Sequence, residues 1–231
     1  MNRITLIFIG CIFFLGQITA QLTTITRNLD NFAGLSVGGD IKVELIPSTQ
    51  YKAEIKMIRG EESDLVSEVK AGTLNLKIKN KSFWGRNKTK AEITLYYVSL
   101  EEVDASAGCS IRALQPIKAR SLQLEASSGS HANLNIEVQK IMGGASSGAT
   151  LTITGKAQDV VLEASSGATV DADGMECASA SVDVSSGAHL EIWATKKLTA
   201  DASSGGSITY KGEPEELNKK GVSSGGSVRK K

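Results

Sequence analysis

The sequence EASSGATVDADG, residues 163–174, contains a Ser-Ser-Gly triplet that recurs through the second half of the chain. Aligned copies, one of them reading Ser-Ala-Gly, place a glycine every 18 to 21 residues, at Gly108, Gly129, Gly148, Gly167, Gly187, Gly205 and Gly225. A near-constant period with variable residues between the copies is typical of stacked structural repeats. The triplet could contain a catalytic serine, form a phosphate-binding loop, or form a tight turn, here called a corner, in each structural repeat. The surrounding sequence pattern distinguishes these three possibilities.

Residues on both sides of each glycine alternate between apolar or small and polar side chains, a period of two that predicts β-strands. Around Gly129, alternation puts Leu124, Ser128 and Leu134 on the inward face and Glu125 on the outward face. Twenty residues at ~3.3 Å each give a contour of roughly 65 Å, enough for one coil around a thin core. The sequence predicts an all-β fold: a single-stranded parallel β-helix of about 20-residue coils. Leucine-rich repeats and hexapeptide helices fit the period less well.

The triplet itself is best interpreted as the corner of each coil. Glycine allows a left-handed backbone, and serine hydroxyls can bond to neighbouring backbone groups where the strands turn. A catalytic nucleophile would be one activated serine, whereas this serine recurs without a Gly-x-Ser-x-Gly motif. A phosphate loop would need a following lysine and a helix. We therefore predict no catalytic serine, and we expect Gly167→Val to destabilise through both strain and crowding.

Residues 1–20, MNRITLIFIGCIFFLGQITA, have a basic start, an apolar run over residues 4–15 and a small residue at Ala20, which predicts a cleaved signal peptide. A membrane anchor fits less well because a span needs ~20 apolar residues. Cys11 is a weaker candidate for a lipid anchor, since apolar residues follow it. The expected location is the periplasm, the outer surface or the medium, with no membrane span in the mature chain.

Removal of residues 1–20 takes away only Arg3 among the charged residues, so the 26 Lys and Arg become 25 against 25 Asp and Glu. This balance argues against nucleic acid as a partner, which would need an excess of basic residues. Cys109 and Cys177 remain. Their offsets from the corner glycines place them about three and a half coils apart, roughly 17 Å along the axis. We therefore expect two buried free thiols rather than a disulfide.

The residues between the leader and the first repeat, 21–100, alternate in four segments and predict either irregular first coils or a cap over the end of the solenoid. The stretch EESDLVSEV, residues 61–69, predicts one short helix. Residues 101–231 then form the β-helix repeats. The domain organisation is thus a leader (1–20), an N-terminal strand-rich region (21–100) and the repeats.

The order of four segments carries a family resemblance: RNLDNFAGLSVGGDIKVEL (27–45), EVKAGTLNLKIKN (68–80), AEITLYYVSLEEVDASAG (91–108) and, after the glycine repeats, GGSVRKK (225–231). In this order the chain resembles the bacterial head GIN domain family, the putative auto-transporter adhesins, over nearly all of residues 27–231. The resemblance implies an exported β-helical domain, common in Bacteroidota, with an adhesion role and without catalytic residues or a cofactor.

Stacked coils align equivalent residues at ~4.8 Å, so functional sites are expected in outward columns. Four residues before three successive corner glycines stand Glu163, Asp183 and Asp201. They are weak candidates for an oxygen-rich Ca²⁺ site, and the alternative is a solvated acidic stripe without metal. The two histidines, His131 and His189, lie three coils apart and form no metal-ligand spacing.

A second outward cluster lies on two adjacent coils: Asp171, Asp173, His189, Glu191 and Trp193. Carboxylates beside an exposed tryptophan are typical of carbohydrate-binding surfaces, and paired acids also perform glycosidase chemistry. The alternative is an ordinary polar face.

A third candidate is the hairpin tip in LKIKNKSFWGRNKTKAEI, which carries Lys81, Phe83, Trp84, Arg86 and Lys88. Basic charge around exposed aromatic rings could bind an anionic glycan or a partner surface. The alternative is that both rings fold back onto the cap and leave a solvated basic loop.

Two function classes remain open at this point. The favoured one is a non-enzymatic exported binding or adhesion module that presents a rigid β-helix surface to glycans or cell-surface partners. The alternative is a polysaccharide-active β-helix enzyme, a lyase or a hydrolase, because architecture alone does not determine function. Assembly into a homo-oligomer also stays open.

Overall fold

A computed structural model describes residues 24–79 and 89–231 and shows a β-solenoid of about six turns with coils of ~20 residues. Strands contain 71% of the described residues. The predicted fold class, an all-β parallel β-helix, is confirmed. The leader prediction for residues 1–20 lies outside the described residues, and the described part contains no helix with the length and apolar character of a membrane span.

The described strands follow one another in this order: β1 (Thr24–Asn28), β2 (Gly34–Gly38), β3 (Ile41–Pro47), β4 (Lys52–Arg59), β5 (Leu65–Lys70), β6 (Thr73–Ile78), β7 (Lys90–Tyr97), β8 (Glu102–Ser106), β9 (Ser110–Ala126), β10 (His131–Ala145), β11 (Thr150–Ala164), β12 (Thr169–Val184), β13 (His189–Ala202), β14 (Ser207–Lys211), β15 (Glu216–Lys220) and β16 (Ser227–Lys230). From β8 onward each strand pairs in parallel with the strand one coil away. Residues at equal offsets from the corner therefore stand side by side along the solenoid.

Each corner is a tight turn in which two successive residues have positive φ. At the Gly129 corner, Ser128 has φ 52° and Gly129 φ 69°, and the Ser130 amide donates to the Ser127 carbonyl at 3.1 Å. The Gly129 amide donates to the Ser147 carbonyl of the next coil, also at 3.1 Å. Positive φ holds at all seven predicted corner glycines, so the corner prediction is confirmed there.

Two details of the predicted corner are wrong. Ser128 and Ser186 do not point inward; both are exposed, because two successive left-handed residues interrupt the alternation of the strand. A Cβ built on Gly167 meets no atom within 4 Å, so crowding adds nothing to the strain of a side chain at this position. Among the described residues, the only triplet hydroxyl that makes a hydrogen bond is that of Ser106, which donates to the Val37 carbonyl at 3.3 Å. Backbone hydrogen bonds between successive corners join the rest of the column, with one addition from the Ser130 hydroxyl to the Ala105 carbonyl.

The first coils do not stack in chain order. Strand β2 lies between β6 and β8, and β3 lies between β7 and β9. The coil formed by β2 and β3 is therefore inserted between two coils that both follow it in sequence, one formed by β6 and β7 and the other by β8 and β9. Strands β1 and β4 extend this sheet antiparallel beyond β7, and β5 pairs antiparallel with β6.

The short helix predicted for residues 61–69 is wrong except for one 3₁₀ turn, Glu62–Asp64. The residues that follow it form β5, whose alternating side chains pair with β6 from Leu65 opposite Ile78 to Lys70 opposite Thr73. Burial of Leu65 against the end of the core outweighs the local helical preference.

The core is a narrow column of aliphatic side chains along the solenoid axis, and both cysteines belong to it. Cys109 is 0% exposed at the small-residue position that Ala149, Ala168 and Ala188 fill in later coils. Cys177 is 1% exposed and lies beside Ala157 and Ala194 of the neighbouring coils. Both thiols are free, in agreement with the predicted register.

Candidate functional site

The fold brings the second predicted cluster together on the outward face of β12 and β13. Thr169 stands opposite His189, and Asp171 opposite Glu191, as strand neighbours. The His189 ring nitrogen Nε2 lies 3.2 Å from Glu191 Oε1. The backbone amide of Asp173 donates to Asp171 Oδ1 at 3.3 Å, at a bulge that turns Asp173 toward the same cluster.

Lys231 joins the two carboxylates of this cluster. Its Nζ lies 2.6 Å from Asp173 Oδ2 and 2.7 Å from Glu191 Oε2. The hydrogen bond to Lys231 lowers the pKa of the Asp173 carboxyl below its ordinary value. The pKa of Glu191 is also lowered, mainly by the hydrogen bond from Lys231 and to a smaller extent by the one from His189. The hydrogen bonds to Asp173 and Glu191 raise the pKa of Lys231.

A second cation covers the aromatic part of the cluster. Lys211 Nζ lies 4.1 Å from the centre of the Trp193 ring, a cation–π contact, and donates to the Asp173 backbone carbonyl at 3.3 Å. Sequence reasoning missed Lys211 and Lys231, although the repeat contains the signal. Asp173, Trp193, Lys211 and Lys231 are each the sixth residue after a corner glycine, so the same alignment that gave the corners aligns them.

This arrangement limits the chemistry of the cluster. A glycosidase acid must hold a proton near neutral pH, which requires a carboxyl group with a raised pKa beside an ionised one. Here both carboxyl groups have lowered pKa values and share one ammonium group. The cluster is thus an ion-paired polar surface with a partly covered tryptophan.

Glu163, Asp183 and Asp201, the acidic residues that precede the corner glycines, form a column on the other side of the corner from the polar cluster. Glu163 stands opposite Asp183, and Asp183 opposite Asp201, while Gly144 separates Glu163 from Glu125. Desolvation, followed by repulsion from Asp104 and Glu163, raises the pKa of Glu125. Across the described ranges, no three or more His, Cys, Asp or Glu side chains form a group suited to hold a metal ion.

The third candidate, formed by Lys81, Phe83, Trp84, Arg86 and Lys88, lies outside the described residues. The described chain leaves β6 at Ile78 and returns in β7 at Lys90. Its role stays a prediction from the sequence.

A family model described as "Putative auto-transporter adhesin, head GIN domain" matches residues 31–214. A comparison with curated proteins gave no match.

Several solved structures resemble the fold. A putative adhesin from Bacteroides fragilis is 21% identical with a TM-score of 0.79, over 92% of this chain and 98% of that one. A putative adhesin from Parabacteroides merdae is 19% identical with a TM-score of 0.70, over 92% and 97%. A putative lipid binding protein from Parabacteroides distasonis is 17% identical with a TM-score of 0.66, over 90% and 96%. At these identities the likeness establishes the fold.

Proposed function

The chain belongs to the head GIN domain family, and from that premise we propose that it is an exported, non-enzymatic binding protein that presents one face of a rigid β-helix to surface glycans. The adhesin description of the family supports a binding role of unspecified kind. The glycan partner and the absence of catalysis are our own inferences from the geometry of the outward face.

The observation that carries the proposal is the composition of the outward face after the corners. The second residue after each corner glycine forms one column of hydroxyl and imidazole side chains: Ser110, His131, Thr150, Thr169, His189, Ser207 and Ser227. Next to it run Arg112, Asn133, Thr152, Asp171, Glu191, Thr209 and Arg229. Hydroxyl, amide and carboxylate groups at ~4.8 Å intervals offer repeated donors and acceptors to a polyhydroxylated ligand.

The same geometry disfavours a polysaccharide-active enzyme. The best acid pair, Asp173 and Glu191, is held ionised by Lys231. The corner serines are exposed or half-exposed, and no histidine or carboxylate in the described chain bonds to their hydroxyls. Neither group supplies the activated nucleophile or the protonated acid that hydrolysis or elimination requires.

Export is part of the proposal because a cell-surface glycan is reached only from outside the cytoplasm. The adhesin-like family supports an exported or surface location, and the leader predicted at residues 1–20 supplies a route. The periplasm, the outer surface and the medium are the compartments in which such a binding face would meet a glycan.

A glycan array combined with product analysis tests the function. We expect the protein to bind a subset of immobilised oligosaccharides, and mass spectrometry to recover soluble oligosaccharides unchanged after long incubation. Release of shorter products would contradict the non-enzymatic proposal, and the variant Glu191→Gln would then show whether the acid pair is responsible. Binding to no glycan would overturn the proposed partner class.

A further inference from the structure

A separate groove lies at the other end of the same outward face, on strands β1, β4, β7, β3 and β9. It has a volume of about 490 Å³. Residues from all five strands line it, among them Glu44, Lys56, Thr94, Ser110 and Arg112. Apart from Val43 and Ile93, which belong to the buried face of their strands, the lining is polar or charged.

Strand register arranges the polar lining in two rows that cross the groove. One row runs across adjacent strands through Thr24, Lys56, Glu92, Lys42 and Ser110. The other runs through Thr26, Glu54, Thr94, Glu44 and Arg112. Each row contains hydroxyl, acidic and basic groups at the spacing of neighbouring strands.

The charges of the groove are only partly paired. Lys42 Nζ lies 3.7 Å from Glu92, and Lys52 Nζ lies 2.7 Å from Glu54. Within the part of the chain that the structure describes, Arg112 and Lys56 take part in no ion pair or side-chain hydrogen bond, and Glu44 has no ion-pair partner. The lining carries three cations (Lys42, Lys56, Arg112) and three carboxylates (Glu44, Glu54, Glu92), and Lys52 beside Glu54 adds a fourth cation, so the groove has a net charge of +1.

The two free cations stand at opposite sides of the groove. Arg112 is on β9 and Lys56 is on β4, three strand spacings apart, which is roughly 14 Å. That separation exceeds the reach of a single carboxylate and matches an extended ligand that carries carboxylates at more than one place. Between the cations, Thr94 can donate or accept hydrogen bonds and Glu44 can accept them, and the Ser110 hydroxyl stands beside Arg112 on β9.

An apolar margin borders the groove along the next outward column. Ile46 stands opposite Tyr96, and Leu114, two residues beyond Arg112 on β9, is 56% exposed. The Tyr96 hydroxyl donates to Glu54 at 3.3 Å, and Lys52 lies 4.3 Å from the ring centre, so the ring is fixed in place. Apolar surface beside hydrogen-bonding groups suits the C–H faces of sugar rings.

We propose that this groove is a binding site for an acidic oligosaccharide with a carboxylate on successive sugar rings. Arg112 binds one carboxylate through its planar guanidinium group and Lys56 binds a second. Glu44, Thr94 and Ser110 bind ring hydroxyls, and Leu114 and Ile46 contact the ring faces. The inference rests on the proposed glycan-binding function and assigns to it a site and a ligand class.

Isothermal titration with tetragalacturonic acid and with its fully methyl-esterified, neutral form tests the groove. We expect wild type to bind the acid and to bind the ester at least tenfold more weakly, because the ester offers no charge to Arg112 or Lys56. The double variant Arg112→Gln, Lys56→Gln should lose affinity for the acid about tenfold or more, with its circular dichroism unchanged.

The control is Lys196→Gln, which removes one exposed cation from β13, four strand spacings beyond β9 and outside the columns of the proposed binding face. It should keep wild-type affinity within about twofold, since its charge lies beyond the range of a screened interaction. Equal losses in the control and the groove variant, unchanged affinity in the groove variant, or equal binding of acid and ester would each overturn the groove assignment.

The two proposals fail in distinguishable ways. Wild-type binding to other glycans on an array, without binding to tetragalacturonic acid, overturns the groove assignment and leaves the proposed function standing. Wild-type binding to no glycan overturns both proposals. If wild type binds the acid more tightly than the ester, and only the groove variant loses this affinity for the acid, the result supports both proposals.

Discussion

At the scale of single residues, the corner works through backbone conformation and open space. Gly167 has φ 70° and a Cβ there would point into open space, while Ser166 before it already adopts φ 52°. The glycines thus avoid left-handed strain, and the serines are small residues that tolerate it. Elsewhere glycine serves close packing: a Cβ on Gly144 would lie 2.0 Å from the Glu163 backbone oxygen.

This contrast gives a prediction about two glycines. Gly167→Ala introduces strain without a clash and should lower the free energy of unfolding by about 1 kcal/mol. Gly144→Ala introduces a backbone clash and should lower it by about 2–3 kcal/mol. Chemical denaturation followed by circular dichroism measures both. The reverse order would show that the coils are not packed as described at Gly144.

The serines offer a second matched pair. Ser130 is 0% exposed; its hydroxyl donates to the Ala105 carbonyl at 2.8 Å and accepts from the Ser127 amide at 3.1 Å. Ser130→Ala should therefore destabilise by about 1 kcal/mol. Ser166→Ala, at an exposed hydroxyl that has no hydrogen-bond partner in the described part of the chain, should change stability by less than about 0.5 kcal/mol and leave glycan binding unchanged. Loss of a hydrolytic activity in the Ser166 variant would refute the corner interpretation.

The cysteines should be slow to react in the folded protein. Burial raises the pKa of Cys109 to about 11 and that of Cys177 to about 12, and each thiol donates to a backbone carbonyl. Little thiolate, the reactive form, exists at pH 8. Mass spectrometry should find no alkylation by iodoacetamide in native buffer and two alkylated thiols after denaturation without reductant. A single or absent alkylation after denaturation would indicate a disulfide and a different register.

At the scale of strands and coils, the repeat pattern predicted most of what the structure shows. Period two around spaced glycines fixes coil length and the inward residues, and so places Cys109 and Glu163 correctly. The insertion of the coil formed by β2 and β3 could not be predicted, because pairing between distant strands leaves no local signal. The segment at 61–69 became a strand because pairing with β6 and burial of Leu65 override local preference.

The repeat pattern also predicted which outward residues form the polar cluster, but it did not predict their ion-pair partners. Asp171, Asp173, His189, Glu191 and Trp193 do share one surface. Their charge state depends on two lysines that lie 38 and 58 residues from Asp173 in sequence. Only the column alignment reveals those partners, and charge pairing, unlike apolar alternation, has no period of its own.

The ion pair between coils gives a pH-dependent prediction. Because the folded pKa of Glu191 is lowered, its contribution to stability is present above the unfolded pKa, near 4, and is lost as pH falls through the folded pKa. Lys231→Gln should move the Glu191 pKa upward in an NMR titration of the side-chain carboxyl. Lys230→Gln, which removes the partner of Glu213 instead, should leave it unchanged. An unshifted Glu191 pKa in the Lys231 variant would exclude the ion pair in solution.

At the scale of the whole molecule, the solenoid converts a sequence repeat into a surface. Every turn adds one strand to the outward face, so single side chains become columns and two free cations become the ends of a groove. A shift of one residue in strand register would turn each outward side chain inward, so neither the outward polar columns nor the groove would exist. The functional proposals therefore depend on one structural claim, that the corners stack in a single column.

Distances between spin labels at the corners test that claim most directly. With Cys109 and Cys177 replaced by alanine, label pairs at 128 and 204, 107 and 204, and 107 and 224 span four, five and six coils. At ~4.8 Å per coil, pulsed electron paramagnetic resonance should give separations that rise in equal steps, from ~19 Å through ~24 Å to ~29 Å between backbone positions, with narrow distributions. Broad distributions, or separations that do not rise by one strand spacing for each added repeat, would contradict the stacked column of corners.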